Sequence, residues 1–179
     1  SAGRIKMKNF FLTCCLLWSM TSFGQMITAP APLSIAPNSS NVEAGDFVIN
    51  WANTTDNILV SVSLDYQLGT SISFPTTTGL TLNTGYTNWT GITSVVFYGT
   101  KTNVNNALAA MTISTGSTQT AVKISVEATG YDVNYTYNPT NKHFYRYVAA
   151  NPVGSVSYSS AKTAAASYTY KGKTGYLVT

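Results

Sequence analysis

From Asp46 onward the chain alternates apolar and polar positions in short runs. Phe47, Ile49 and Trp51 alternate with Asp46, Val48 and Asn50, and Ile58, Val60, Val62 and Leu64 alternate with Leu59, Ser61, Ser63 and Asp65. A period of two places one set of side chains on one face of an extended strand, so each run predicts a half-buried β-strand. The same pattern holds for Ile72/Phe74, Leu80/Leu82, Val122/Ile124/Val126 and Tyr131/Val133/Tyr135/Tyr137. Residues 92–98 (ITSVVFY) are apolar on both phases, as expected of a central strand covered on both faces. Gly69, Gly79, Gly85, Gly91 and Gly130 punctuate the runs, and this spacing predicts a β-sandwich over 43–137. The many threonines suit strands, being β-branched and polar at one end.

One segment changes period. In 102–111, Val104, Ala107, Leu108 and Met111 recur at i, i+3, i+4 and i+7, with Thr102 or Asn103 available as a cap, which predicts a short helix. After Asn138, Pro139, Thr140 and Asn141 the character shifts again. Residues 143–148 read as a strand, 159–167 as an Ala-rich helix capped by Ser159 or Ser160, and 176–178 as a further strand after a Gly172/Gly175 turn. The fold class expected is therefore mainly β: a β-sandwich domain with one short helix, then a partial α+β segment over 143–179. Two stretches read as linkers, 25–42 with Pro30, Pro32 and Pro37, and 138–142.

The amino terminus follows a different logic. Lys6 and Lys8 precede an 11-residue apolar run over 10–20, and small residues at Ser22 and Gly24 follow it. A basic stretch, a short apolar core and a small-x-small site predict a secretory signal over 1–24, cleaved after Gly24. The run is too short for a membrane span, which needs about 20 apolar residues. Met7 reads as the start, with 1–6 an upstream extension. Cys14 and Cys15 lie inside the apolar run after a poor lipobox, so the processed chain has no cysteine and must be held by its own core. The pattern MKNFFL…SFGQ resembles signal peptides of Bacteroidetes bacteria. The expected location is secreted or cell surface, with no membrane span after cleavage.

Composition narrows the function classes. Of 179 residues 44% are hydrophobic and only 9% charged, which excludes a disordered chain. The formal charge of +4 owes much to Arg4, Lys6 and Lys8, and without the first 24 residues seven basic side chains face six acidic ones. That balance argues against a nucleic-acid partner.

Two resemblances add to this reading. Residues 96–116 (VFYGTKTNVNNALAAMTISTG) resemble a segment of cadherin-like sandwich modules in bacterial surface proteins, which implies an extracellular repeat-type domain. Residues 143–179 resemble the opening of a C-type lectin-like domain. HFYRYV matches its first strand, Tyr158, Ala161 and Ala165 match the helix pattern, and Gly172, Gly175, Leu177, Val178 and Thr179 match the next strand. Ala165 stands where that family usually has a cysteine, so the core disulfide is missing. The resemblance implies recognition of sugars or proteins through segments expected beyond Thr179, and with them calcium as a possible ligand of the full-length protein; no cofactor is expected in this stretch. A strand, a short helix and a strand bury too little surface to close a core, so 143–179 is expected to be loosely packed and truncated, with Leu177 and Val178 short of cover.

Candidate chemistry is sparse. His143 is the single histidine and no carboxylate lies near it in sequence, so it reads as a solvent-facing strand residue and no catalytic residue is assigned. The carboxylates are Glu43, Asp46, Asp56, Asp65, Glu127 and Asp132, and no spacing among them marks a paired acid and base. Glu43 and Asp46, and Asp132 and Asn134 with Asn138, are the calcium candidates, although a calcium site wants six to eight oxygens. Tyr131, Tyr135, Tyr137, Tyr145 and Tyr147 either pack a domain joint or form a platform for sugar rings. The sequons at Asn38, Asn53, Asn88 and Asn134 arise readily in Asn/Thr-rich strands, and no phosphate-binding loop, dinucleotide fingerprint or zinc motif occurs. The function expected is a non-enzymatic extracellular binding or adhesion protein with a glycan or protein ligand. The alternatives are a structural stalk or repeat module of a large surface adhesin, or an accessory module of a secreted enzyme.

Overall fold

Alternating runs become paired strands, and the residues on their apolar phase become the core. The computed structural model describes residues 26–52, 56–65, 69–118, 122–148 and 157–178, so the expected signal over 1–24 lies outside the described residues. The protein is mainly β with several sheets. It divides into two compact units, Ser1–Tyr145 and Arg146–Thr179.

In the first unit the elements run β1 (Met26–Thr28), β2 (Val42–Glu43), β3 (Val48–Asn50), β4 (Asn57–Leu64), β5 (Ser71–Ser73), β6 (Leu80–Leu82), β7 (Ser94–Thr100), α1 (Lys101–Ala109), β8 (Thr112–Ser114), β9 (Ile124–Tyr131), β10 (Thr136–Asn138) and β11 (His143–Tyr145). The largest sheet is antiparallel, in the order β6-β7-β4-β9. Val60 lies opposite Phe97 on one side and Ala128 on the other, and Val62 opposite Val95 and Val126. A second sheet has the order β2-β8-β5, with Ile113 between Val42 and Ile72. A bridge between Ile72 and Ile92 ties β5 to the segment leading into β7.

Both sheets supply one core. Val60, Val62, Val95, Phe97 and Ile124 enter it from the larger sheet, and Ile72, Phe74 and Ile113 from the smaller. Phe74, Trp89 and Phe97 meet edge to face or tilted, with ring centroids 5.3–6.1 Å apart. From α1, Val104, Ala107 and Leu108 are fully buried, and Met111 just beyond it is too, as the helical period predicts. The helix starts earlier than expected, directly from β7, because Thr100 is the cap and its Oγ1 accepts from the Asn103 N–H at 3.4 Å. Its Thr and Asn positions are weak helix formers by tenths of a kcal/mol, whereas burying Val104 and Leu108 contributes about 1.5–3 kcal/mol each. Packing therefore decides this helix.

The doubly apolar run 92–98 has the predicted consequence. Val95 and Phe97 face the main core, while Val96, with Leu59 of β4, faces a second cluster capped by Tyr137. Tyr86, Tyr98, Tyr131 and Phe144 pack around it, so the β10–β11 hairpin roofs the other face of the large sheet.

Several boundaries differ from those read in the sequence. Within the stretch 25–42, read as a linker, Met26–Thr28 pairs with β3, Ile27 and Leu33 pack on the core, and Ile35 is buried. Prolines keep the segment extended, but the apolar residues between them still find cover. Residues 138–142, also read as a linker, are the turn of the β10–β11 hairpin, so the first unit reaches Tyr145. The strand expected over 131–137 is broken at Asp132, whose Oδ1 accepts from the Asn134 N–H at 2.9 Å and fixes a turn that leaves Val133 exposed.

The second unit holds α2 (Tyr158–Ser167), β12 (Thr169–Tyr170) and β13 (Lys173–Thr174). Ser157 caps α2, with its Oγ accepting from the Ser160 N–H at 3.2 Å. None of its described residues is buried, Leu177 is half-buried and Val178 is 59% exposed, in keeping with the loose packing expected there. Residues 176–178 form no strand, the pairing being made instead by β12 and β13.

Candidate functional site

Each sequence-predicted site residue has a definite place in the fold. His143 opens β11 and is exposed. Asp65 pairs with Lys123 at 3.1 Å, and Glu127 with Lys142 at 3.0 Å, so both carboxylates on the polar strand phase are neutralised by neighbours. That hydrogen bond to Glu127 holds the Lys142 ammonium above its ordinary range.

Of the calcium candidates, the structure brings together Asp132 and Asn134 only as a turn. Asp132 Oδ1 accepts from both the backbone N–H and the Nδ2 of Asn134, at 2.9 and 2.8 Å. Asn138 Oδ1 accepts from the Thr140 N–H at 2.9 Å. Glu43 is exposed beside an open groove lined by Ala31, Leu33, Val42, Ala44 and Gly45, which offers one carboxylate among apolar side chains. Asp46 is exposed in the loop before β3. Among the described residues no three of His, Cys, Asp and Glu gather closely enough to hold a metal ion.

The tyrosines divide. Tyr137 is buried, which raises its phenol above the ordinary value, and Tyr131 packs beside it at 4.6 Å from Tyr98. The Tyr131 hydroxyl donates to the Tyr135 carbonyl at 2.7 Å, and the Tyr145 hydroxyl accepts from Asn141 Nδ2 at 2.7 Å. These are packing residues of the first unit. Tyr147, in the second unit, is 91% exposed.

That unit carries the surface that stands out chemically. Ala161 and Ala165 form the inner side of α2, and Gly175 lies so close to the Ala165 carbonyl that a Cβ there would meet it at 2.5 Å. The Gly175 N–H donates to the Tyr168 carbonyl at 2.8 Å, which ties the chain end to the helix end. Tyr158 lies at i to the i+3 and i+7 of Ala161 and Ala165, on the same side of the helix, yet it is 63% exposed at the helix start, and Lys162 is exposed too. Along the same helix Ser159, Ser160, Thr163 and Ser167 line an open groove. The Thr163 and Ser167 hydroxyls donate to helix carbonyls at 3.0 and 2.7 Å.

At the hairpin the register Tyr170↔Lys173 leaves a two-residue turn of Lys171 and Gly172, with φ of 52° and 72°. Positive φ at both positions is the type I′ turn that matches strand twist. The Arg146 guanidinium stands 5.2 Å over the Tyr168 ring, and the Lys171 ammonium 5.4 Å over Tyr170. Partial desolvation of its ammonium lowers the Lys171 pKa to about 8, although the residue as a whole is exposed. Segment 146–179 has no Asp, Glu, His or Cys, so its polar chemistry is cationic and hydroxylic.

Charge summed along the whole chain hides this feature. Counting it on either side of residue 145 exposes the imbalance. Comparison with known proteins adds no family: no family, curated protein or solved structure matches the chain. Among the described residues no helix is long and apolar enough to cross a membrane.

Proposed function

We propose that this is a non-enzymatic extracellular binding or adhesion protein. It is exported by its amino-terminal signal, and its β-sandwich module presents a C-type lectin-like segment that recognises carbohydrate or protein. The observation that carries this reading is the exposure of aromatic side chains in the second unit. Tyr147, Tyr158 and Tyr176 are 91%, 63% and 64% exposed. Tyrosines kept on a surface supply flat apolar faces with a polar edge, which suits stacking on sugar rings and recognition of protein surfaces. The shared core of the two sheets in the first unit supports a presenting role for it.

The test is saturation binding of the processed chain, starting at Gln25, to arrayed glycans and surface proteins. Saturable binding that weakens in Tyr158→Ala and Tyr176→Ala is the expected result. Chelation with EDTA is expected to leave it unchanged, because the acidic residues do not converge on a cation site. Failure to bind anything on the array would overturn the proposal. A second reading, a stalk or repeat module, is favoured by the packing of both faces of the large sheet in the first unit. High resistance to mechanical unfolding without any retained ligand would support it.

A further inference from the structure

The large sheet of the first unit ends on a long strand with a neighbour on one side only. In the order β6-β7-β4-β9, β9 pairs with β4 over all eight of its residues in one unbroken register. That register extends to Lys123, whose carbonyl accepts from the Asp65 N–H at 3.0 Å. Backbone groups alternate sides along an antiparallel strand, so Lys123, Ser125, Glu127 and Thr129 turn theirs toward β4. Val126, Ala128 and Gly130 turn theirs the other way, and among the described residues no hydrogen bond reaches them there. The other edge strands of the two larger sheets, β2, β5 and β6, are only two or three residues long. Natural sheets blunt a long edge with proline, lysine or a bulge, and 124–131 has none of these.

We propose that β9 pairs with β9 of a second copy of this chain, antiparallel about a two-fold axis at Ala128, joining the two large sheets into one. This goes beyond the binding reading above and stands without it. The position of the axis follows from the unpaired groups. With Val126 opposite Gly130 of the second copy and Ala128 opposite itself, every outward N–H and C=O at these three positions finds a partner. An axis at Val126 would instead set Gly130 against Val122, which lies outside the strand. Charge favours the same axis. On the outer face Glu127 falls opposite Thr129 of the second copy, and the two Glu127 residues become diagonal neighbours, about 7–8 Å apart and within reach of long side chains. Each carboxylate carries the Lys142 ammonium, with Nζ 3.0 and 3.2 Å from its oxygens. The paired copies thus gather two carboxylates and two ammoniums into one neutral network. An axis at Glu127 would set the two carboxylates directly opposite each other, which is destabilising.

A strand from a different protein would meet the same backbone groups without supplying the second carboxylate–ammonium pair. Edge pairing alone makes a small interface, so the dimer is weak and depends on concentration. It closes on itself, because the two-fold axis uses both β9 edges and leaves neither to start a fibre. Pairing also puts two copies of the second unit on one particle, which raises avidity for a repeated ligand.

The experiment is sedimentation velocity of the processed chain, starting at Gln25, with circular dichroism confirming the fold of every variant. A monomer–dimer equilibrium with its midpoint at about 0.1 mM is expected for an interface of this size. Thr129→Glu sets a like charge against Glu127 of the second copy, a contact that symmetry makes twice, and is expected to weaken the dimer about tenfold. Thr129→Lys sets an opposite charge there and is expected to strengthen it several-fold. Opposite effects from one position distinguish pairing from damage to the fold. Ala128→Cys, on the axis, brings two thiols together at a Cα separation of about 5.5 Å, within disulfide reach. In a glutathione buffer it is expected to form a covalent dimer about tenfold faster than Val126→Cys, whose counterpart lies about 13 Å away along the strand. A chain that stays monomeric up to about 1 mM would overturn the proposal. A dimer indifferent to both Thr129 variants, or equal disulfide rates at 126 and 128, would overturn it too and place the contact elsewhere.

Discussion

Ile49 is fully buried, yet β3 runs where only β1 pairs with it, so its backbone needs a partner on the helix side. Asn105 of α1 supplies one. Its Oδ1 accepts from the Ile49 N–H at 2.9 Å and its Nδ2 donates to the Ile49 carbonyl at 3.1 Å, which imitates a strand neighbour with a single amide. Asn83 does similar work on the other face: it is buried, and its Nδ2 donates to the Tyr137 carbonyl at 3.2 Å, pinning β10. An unmade hydrogen bond at a buried group costs more than the made one contributes, so these amides matter beyond their number. Asn105→Ala is expected to destabilise the first unit by about 2–3 kcal/mol, since it orphans both an N–H and a C=O. Asn105→Asp keeps the acceptor and loses the donor, and should fall between the two. Urea unfolding of the three proteins measures both differences; an Asn105→Ala midpoint equal to the parent's would refute the role given to this side chain.

Among elements, the two hairpins show how turn chemistry sets register. In β12–β13 the turn position held by Lys171 has φ of 52°, where a residue with a Cβ is disfavoured and asparagine is better tolerated. Lys171→Asn is therefore expected to stabilise the second unit by about 0.5–1 kcal/mol, with stronger cross-strand nuclear Overhauser contacts between Tyr170 and Lys173. No gain in those contacts would mean that the charge at 171 matters more than the turn. At this scale most of the first unit was legible. The period-two phases correctly separate Ile58, Val60, Val62 and Leu64 from their polar neighbours, and the i, i+3, i+4, i+7 set locates α1. What was not legible depended on partners distant in sequence. Residues 26–28 have no alternation, and only β3 makes them a strand. Thr112–Ser114 is too short to show a period and is strand only because β2 and β5 flank it. The tyrosines at 131, 135 and 137 share a phase, but an Asp132 side-chain turn overrides it.

Across the whole molecule a single charge count hides an asymmetry along the chain: residues 26–145 carry three lysines against six carboxylates, and residues 146–179 four basic side chains and no acidic one. The same division predicts opposite responses to alkali. In the first unit burial raises the Tyr137 pKa above 10.0, and the hydrogen bond to Glu127 raises Lys142 above 10.5. Above those values the folded unit holds protons that the unfolded chain has released, so its stability is flat up to about pH 10 and falls beyond. In the second unit partial desolvation of the ammonium lowers Lys171, an exposed residue, from 10.5 to about 8. Between those two values the unfolded chain holds the extra proton, so stability rises with pH, by a small amount because solvent screens an exposed ammonium. Urea titrations read through methyl resonances separate the units, with Ala161 and Ala165 reporting the second and Val62 and Leu108 the first. The second unit's midpoint is expected to climb between pH 8 and 10 while the first unit's stays level and then drops. Lys171→Met keeps the backbone strain and removes the charge, so it should abolish the climb; Tyr137→Phe should soften the drop. Parallel curves for both units would show that these groups do not control the alkaline stability of the fold.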